Sequence, residues 1–228
     1  MEGGSIENHY ERNAHDTQYF ENGLYILYKH NKELFKQIQK SFSKHSVLDL
    51  GCGGKGSTLR IMFQDLFEKK LETMPEKEKN NPNILFTKYL EEIKDLGLLT
   101  PKEYIGVDKY NVETKTVDDR ISFVRDDMLE FLKKQNELGK QSNVVLGGVG
   151  RDIIEPKKPD NDEYRFQLMT EISKVLPEDG YFMEFFSNMK FMYKNKIYEP
   201  EDFGLKRVLG NKHTLQVFRK PNSKEVKA

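Results

Sequence analysis

The residues of this chain best suited to chemistry are a glycine cluster and a set of acids spaced along it. Gly51, Gly53, Gly54 and Gly56 follow directly on the apolar run Ser46–Leu50. Glycine loses more conformational freedom on folding than any other residue, so such a cluster marks backbone that must turn tightly or lie against something. Asp49 stands two residues before the first of these glycines. Asp108 ends a second apolar run, and Asp126 and Asp127 follow a third. Carboxylates accept hydrogen bonds from hydroxyl and amino groups. Ser57 and Thr58, both good N-cap residues, then open a helix whose free N–H groups and partial positive charge lie beside the turn. Ligands of open α/β sheets sit beyond the carboxyl ends of the strands, where the strand order reverses. The pattern therefore predicts a nucleotide-like ligand against the glycine turn.

Two ligand classes fit at this point. Gly51, Gly53 and Gly56 satisfy the G-x-G-x-x-G dinucleotide fingerprint, whose pyrophosphate rests on a helix N-terminus. Asp49 would repel a pyrophosphate close by, and instead suits a ligand with a cationic end, held directly or through water. Roughly fifty residues separate Gly56 from Asp108, where the dinucleotide spacing is about twenty.

The stretch VLDLGCG, Val47–Gly53, resembles motif I of the class I S-adenosylmethionine-dependent methyltransferases, an acid followed by alternating glycines. Lys55 stands where the third glycine of that motif usually falls. The resemblance implies S-adenosylmethionine as cofactor, with Asp49, Gly51, Cys52 and Gly53 around its methionyl end. Asp108 in YIGVDKY would accept from the ribose hydroxyls, and the stem of Lys109 would pack on the adenine. In FVRDDML, Asp127 would take the adenine amino group, with Asp126 as the register alternative and Met128 facing the ring. Gly147, in NVVLGGVG, would end the fourth strand opposite the methyl group. LPEDG, Leu176–Gly180, resembles the family's turn between helix and strand, and the final hairpin matches its antiparallel last strand. The resemblance covers roughly Ser46 to Lys220.

The elements that must position these residues follow from hydrophobic period. Helical spacing runs from Thr17 to Phe42, with Gly23 as a division, and again over STLRIMFQDLFEKKLE, ILFTKYLEEIKDLGLL, MLEFLKKQNEL and EYRFQLMTEISKVL. Between them lie the strand-like runs SVLDLG, EYIGVD, RISFVR, NVVLGG and GYFMEFF, and YFMEFFSNMKFMY as a whole reads mostly as core strand. FGLKRVLG and HTLQVFRKP form a hairpin across the turn NK. Strands alternating with helices give an α/β fold. It is a doubly wound, mostly parallel sheet with an antiparallel C-terminal hairpin, helices on both faces and an N-terminal helical cap. The expected division is a helical cap over 1–45, a Rossmann-like domain over 46–220 with a helical insertion near 71–100, and a flexible tail over 221–228.

Methyl transfer is largely proximity and orientation, and a general base is needed only for a protonated acceptor. No residue is singled out as the catalyst. Asp152 and His15 are the candidates, Asp152 to orient an amine or act as base and His15 as a base near neutral pH. Arg151 could hold an acceptor carboxylate or phosphate, and Phe191 and Tyr193 could line an acceptor pocket. Carbon methylation of pyrimidines usually needs a cysteine nucleophile, and Cys52, the one cysteine, lies in the cofactor loop. The Asn/Asp-Pro-Pro-aromatic motif of DNA adenine methylation is replaced by Gly147-Gly148-Val149-Gly150. Lys174 and Glu184 are the nearest counterparts of the ribose methylases' Lys-Asp-Lys-Glu set, but no acid ends the fourth strand. A small-molecule or protein acceptor remains.

Composition sets the outer bounds. Charged residues make up 32% and hydrophobic ones 36%, with 37 basic side chains against 37 acidic. The balance disfavours a general nucleic-acid binder. One cysteine forbids an intramolecular disulfide and fits a reducing compartment. No run approaches the roughly 20 apolar residues of a membrane span, and the first residues lack an apolar signal core. A cytoplasmic protein without a metal site is expected. Two alternatives stand beside the enzyme: a non-catalytic S-adenosylmethionine-binding or scaffolding protein of the same fold, and an NAD(P)-dependent oxidoreductase.

Overall fold

A computed structural model of the chain describes residues 27–28, 31–52, 101–110, 112–146, 160–185, 190–210 and 215–225. Helix α1 spans Lys32–Lys44. It does not run unbroken from the preceding segment, because the Asn31 side chain accepts from the Leu34 N–H at 3.1 Å and caps a new start. Gly23, the expected divider, lies outside the described residues. Glu33 in the first turn and Lys44 in the last complement the helix dipole. Leu34, Phe35, Ile38 and Phe42 form its buried face.

The strands are β1 (Ser46–Leu50), β2 (Glu103–Asp108), β3 (Lys115–Asp118), β4 (Ile121–Arg125), β5 (Ser142–Leu146), β6 (Tyr181–Phe185), β7 (Phe191–Tyr193), β8 (Lys196–Tyr198), β9 (Lys206–Gly210) and β10 (Leu215–Arg219). Eight of them form one sheet in the order β3-β4-β2-β1-β5-β6-β10-β9. β4, β2, β1, β5 and β6 are mutually parallel. β10 runs antiparallel to both β6 and β9. The doubly wound, mostly parallel sheet and its C-terminal hairpin are thus as the sequence predicts. The order reverses between β1 and β5, the switch point of the sheet.

Helices α2 (Met128–Glu137) and α3 (Asp160–Val175) cover the face opposite α1. On the α1 side, Phe35, Ile38 and Phe42 pack with Val47, Tyr104, Val145 and Met183. On the other, Leu132, Met169 and Ile172 pack with Leu48, Leu50, Val107, Val144 and Phe182. The alternation along each strand assigns its residues to these two layers.

Two features depart from expectation. β3 is an extra edge strand, Lys-Thr-Val-Asp, antiparallel to β4 with a register shift between Thr116 and Asp118. The run from Tyr181 to Tyr193 is not one core strand. β6 stays in the main sheet, whereas β7 pairs with β8 in a separate hairpin whose two-residue turn puts Lys194 and Asn195 at φ 47° and 63°. This hairpin packs on α3. Phe166 stacks on Tyr193 with ring centroids 4.7 Å apart and meets Tyr198 edge-on at 5.1 Å. The aromatic side chains of Phe191 and Tyr193 are thereby engaged in packing. Past the sheet, Lys220 donates to the carbonyls of Ser173 and Leu176 at the end of α3, and Arg219 holds Glu225 through both carboxylate oxygens.

Candidate functional site

At the switch point, β1 ends in a turn that glycine makes possible. Gly51 takes φ 73°, a left-handed conformation that side chains disfavour. Its N–H donates to the Val107 carbonyl at 2.8 Å, and that of Cys52 to the same oxygen at 3.2 Å. The turn is thus folded back over the end of β2. Cys52 drops into the space opened by Gly106, where a Cβ would lie 2.9 Å from its sulfur and 2.8 Å from the Phe123 ring. Burial, with the charges of Asp49 and Asp108 beside it, pushes the Cys52 thiol far up. The group stays protonated at neutral pH and is no nucleophile.

Beneath the turn, Asp49 is fully buried on β1. Register explains its partner: Val47 pairs with Tyr104 and Asp49 with Gly106, so Tyr104 and Asp49 are diagonal neighbours on one face. The Tyr104 hydroxyl donates to Asp49 Oδ2 at 2.5 Å. Tyr104 is not among the residues that motif and spacing single out. A tyrosine two residues before a glycine, in a strand pairing with an acid-bearing one, is the signal that could have found it.

Asp108 ends β2 on the same edge and is 6% exposed. Its Oδ1 accepts from the Tyr110 N–H at 2.8 Å, which fixes the chain as it leaves the strand. Beyond β4, Asp126 and Asp127 divide their tasks. Asp126 accepts from the Asp127 N–H and, through Oδ2, pairs with Lys134 at 2.7 Å along α2. Asp127 caps α2, its Oδ1 accepting from the Leu129 N–H at 3.0 Å and from the Tyr164 hydroxyl at 3.2 Å. Its Oδ2 faces Lys109 Nζ at 3.5 Å. Met128, the next residue, is buried among the side chains of the α2–α3 layer. Tyr164 was also missed, because nothing in sequence ties α3 to the start of α2. Burial and the Asp127 charge push its phenol up, so it remains a donor.

The structure therefore gathers Asp49, Gly51, Cys52, Asp108, Lys109, Asp126, Asp127 and Met128 at or beneath the carboxyl ends of β1, β2 and β4. Gly53, Gly147, Asp152 and His15 lie outside the described residues. Lys174 does not join Glu184: it pairs with Glu171 on the outside of α3, while Glu184 is buried on β6. The described edge offers four carboxylates against the ammonium groups of Lys109 and Lys134. Such a set of acceptors takes hydrogen bonds from hydroxyl and amino groups and tolerates a cation, and it opposes a pyrophosphate.

The elements that carry the family resemblance fall in the expected order, with the reversed strand β10 between β6 and β9. No protein-family model matches the chain, and no curated protein sequence does. Among solved structures, one from Lactococcus lactis described as a hemolysin is 12% identical, over 87% of this chain and 86% of that one, with a TM-score of 0.41. The antibiotic-resistance methyltransferase Kmr is 10% identical over 84% and 93%, TM-score 0.38. The Burkholderia thailandensis 1,6-didemethyltoxoflavin-N1-methyltransferase, solved with bound 1,6-didemethyltoxoflavin and S-adenosylhomocysteine, is 13% identical over 97% and 93%, TM-score 0.38. Overlaps of this size leave the functional reading to the chain's own residues. No helix among the described residues is long and apolar enough to cross a membrane.

Proposed function

We propose that this chain binds S-adenosylmethionine along the carboxyl edge of β1, β2 and β4 and transfers its methyl group to a small-molecule or protein acceptor. The observation that carries the reading is the set of carboxylate acceptors at the switch point of a sheet whose last strand is reversed. Asp108 takes the ribose hydroxyls, and Asp127, at the head of α2, takes the adenine amino group with Met128 beneath the ring. The glycine turn at Gly51–Gly53 receives the methionyl end, and Asp49 below it favours the positive charge there. When bound, the cofactor would supply an electrophilic methyl group, the new bond to an acceptor lone pair forming as the methyl–sulfur bond breaks and its electron pair stays on the neutral thioether of S-adenosylhomocysteine.

The chain's own contribution is placement. Two N–H bonds to Val107 hold the turn, the cap at Asp127 fixes the start of α2, and the Asp108–Tyr110 bond fixes the exit from β2. Pre-set geometry of this kind is the main source of rate in a displacement that needs no proton transfer. Calorimetric titration with S-adenosylmethionine, S-adenosylhomocysteine and NADH tests the assignment. Binding of the two adenosyl ligands and not of NADH is expected. Binding of NADH alone would overturn it.

A further inference from the structure

The two oxygens of Asp127 have different surroundings. Oδ1 is committed to the protein, accepting from the Leu129 N–H and the Tyr164 hydroxyl. Oδ2 faces Lys109 Nζ at 3.5 Å, and the Lys109 side chain is 55% exposed. The same ammonium lies 5.7 Å from the centre of the Tyr110 ring. Tyr110 is itself 74% exposed, so this ion pair sits at the solvent rim of the site. The pair links the residue after Asp108 to the head of α2, joining the two segments assigned above to ribose and base.

We infer that Lys109 is a specificity-determining residue that occupies the base-recognising oxygen of Asp127 and is exchanged for the amino group of the incoming purine. The inference rests on the cofactor assignment proposed above. Oδ1 cannot turn to the ligand without uncapping α2 and abandoning Tyr164, so Oδ2 is the oxygen left for the base. An ammonium and an exocyclic amino group are both donors, and whichever holds a given lone pair of Oδ2 keeps the other from it. A half-exposed ion pair is weak and screened by salt. A base can therefore displace it. A purine bearing an oxygen at that position has no donor to offer Oδ2. It would instead leave Lys109 in place, where the ammonium softens the repulsion between its carbonyl and the carboxylate.

The test uses the full chain and S-adenosylhomocysteine, whose net charge is zero, so that salt acts chiefly on the protein's own pair. Lys109→Met keeps the aliphatic stem and removes the charge. Calorimetry should show this variant binding S-adenosylhomocysteine about two- to fivefold more tightly than the parent at low salt. Raising the salt should tighten binding to the parent and leave the variant unmoved. Discrimination against the inosine analogue, S-inosylhomocysteine, should increase in the variant. Weaker or unchanged binding by Lys109→Met, with the parent binding normally, would overturn the exchange and leave the cofactor assignment standing. No binding of S-adenosylhomocysteine to either protein would overturn both.

Discussion

The two faces of the central sheet are built from different materials. Toward α2 and α3, strands β1, β2 and β5 present Leu48, Leu50, Val107 and Val144, all buried in one apolar layer. Toward α1, the same strands carry Asp49, Asp108 and Asn143, each buried or nearly so. Buried polar groups are costly unless hydrogen-bonded, and these are met: Tyr104 donates to Asp49, Tyr110 to Asp108, and Asn143 Oδ1 accepts from the Tyr181 N–H at 2.8 Å and Ser41 Oγ at 3.0 Å. Over these three strands the face toward α2 and α3 is apolar. The other places carboxylates at the edge where a ligand would lie, and Asn143 ties α1, β5 and β6 together beneath them.

Damage to the two faces should therefore separate into stability and binding. Phe182, fully buried and stacked on Phe218 at 5.6 Å, belongs to the layer under α2 and α3. Phe182→Ala should destabilise by about 3–5 kcal/mol in denaturant unfolding, with the affinity of the folded fraction for S-adenosylhomocysteine unchanged. Asn143→Leu, close in shape, strands the Tyr181 N–H and the Ser41 hydroxyl and should cost about 2 kcal/mol, read the same way. Asp108→Ala should do the reverse, weakening S-adenosylhomocysteine binding by at least about 1 kcal/mol, a factor of five or more, while the melting temperature moves little. Equal loss of stability in Asp108→Ala would erase the division between the faces.

The smallest effect concerns Cys52. An acid whose pKa is raised on folding keeps its proton where the unfolded chain has lost it. Stability from this group is therefore full below the unfolded thiol range and falls as pH rises above about 8.5, by at most about 1.4 kcal/mol per pH unit. Burial is the first cause of the shift. Unfolding curves at pH 8 and pH 9.5 should converge less in the parent than in Cys52→Ala, which lacks this slope. Thiol reagents should label Cys52 only as fast as the chain opens.

Much of this arrangement was legible in the sequence because it depends on short-range signals. Five parallel strands announced themselves as apolar runs, and Asp49, Asp108 and Asp127 stood at their ends. β3 stays hidden because Lys-Thr-Val-Asp is a short, polar edge strand that shows itself only through its pairing with β4. The break after β6 was masked by continuous aromatic composition, since the same residues that fill a core strand also fill the hairpin's contact with Phe166. Tyr104 and Tyr164 became visible as partners only once register and helix packing brought them to Asp49 and Asp127. The Lys109–Asp127 pair likewise needs β2 and β4 side by side. Acids can be read from a strand's end; the donors that meet them depend on neighbours distant in sequence.

An adenosyl ligand on the carboxyl edge of β1, β2 and β4 would change the surroundings of the backbone there. Backbone amide NMR spectra recorded during titration with S-adenosylhomocysteine test that placement most directly. The largest shifts are expected at Gly51, Cys52, Lys109, Tyr110 and Met128, with the amides of α1 and of the β7–β8 hairpin nearly still. Shifts concentrated on the hairpin or α1, with the carboxyl edge unmoved, would contradict it.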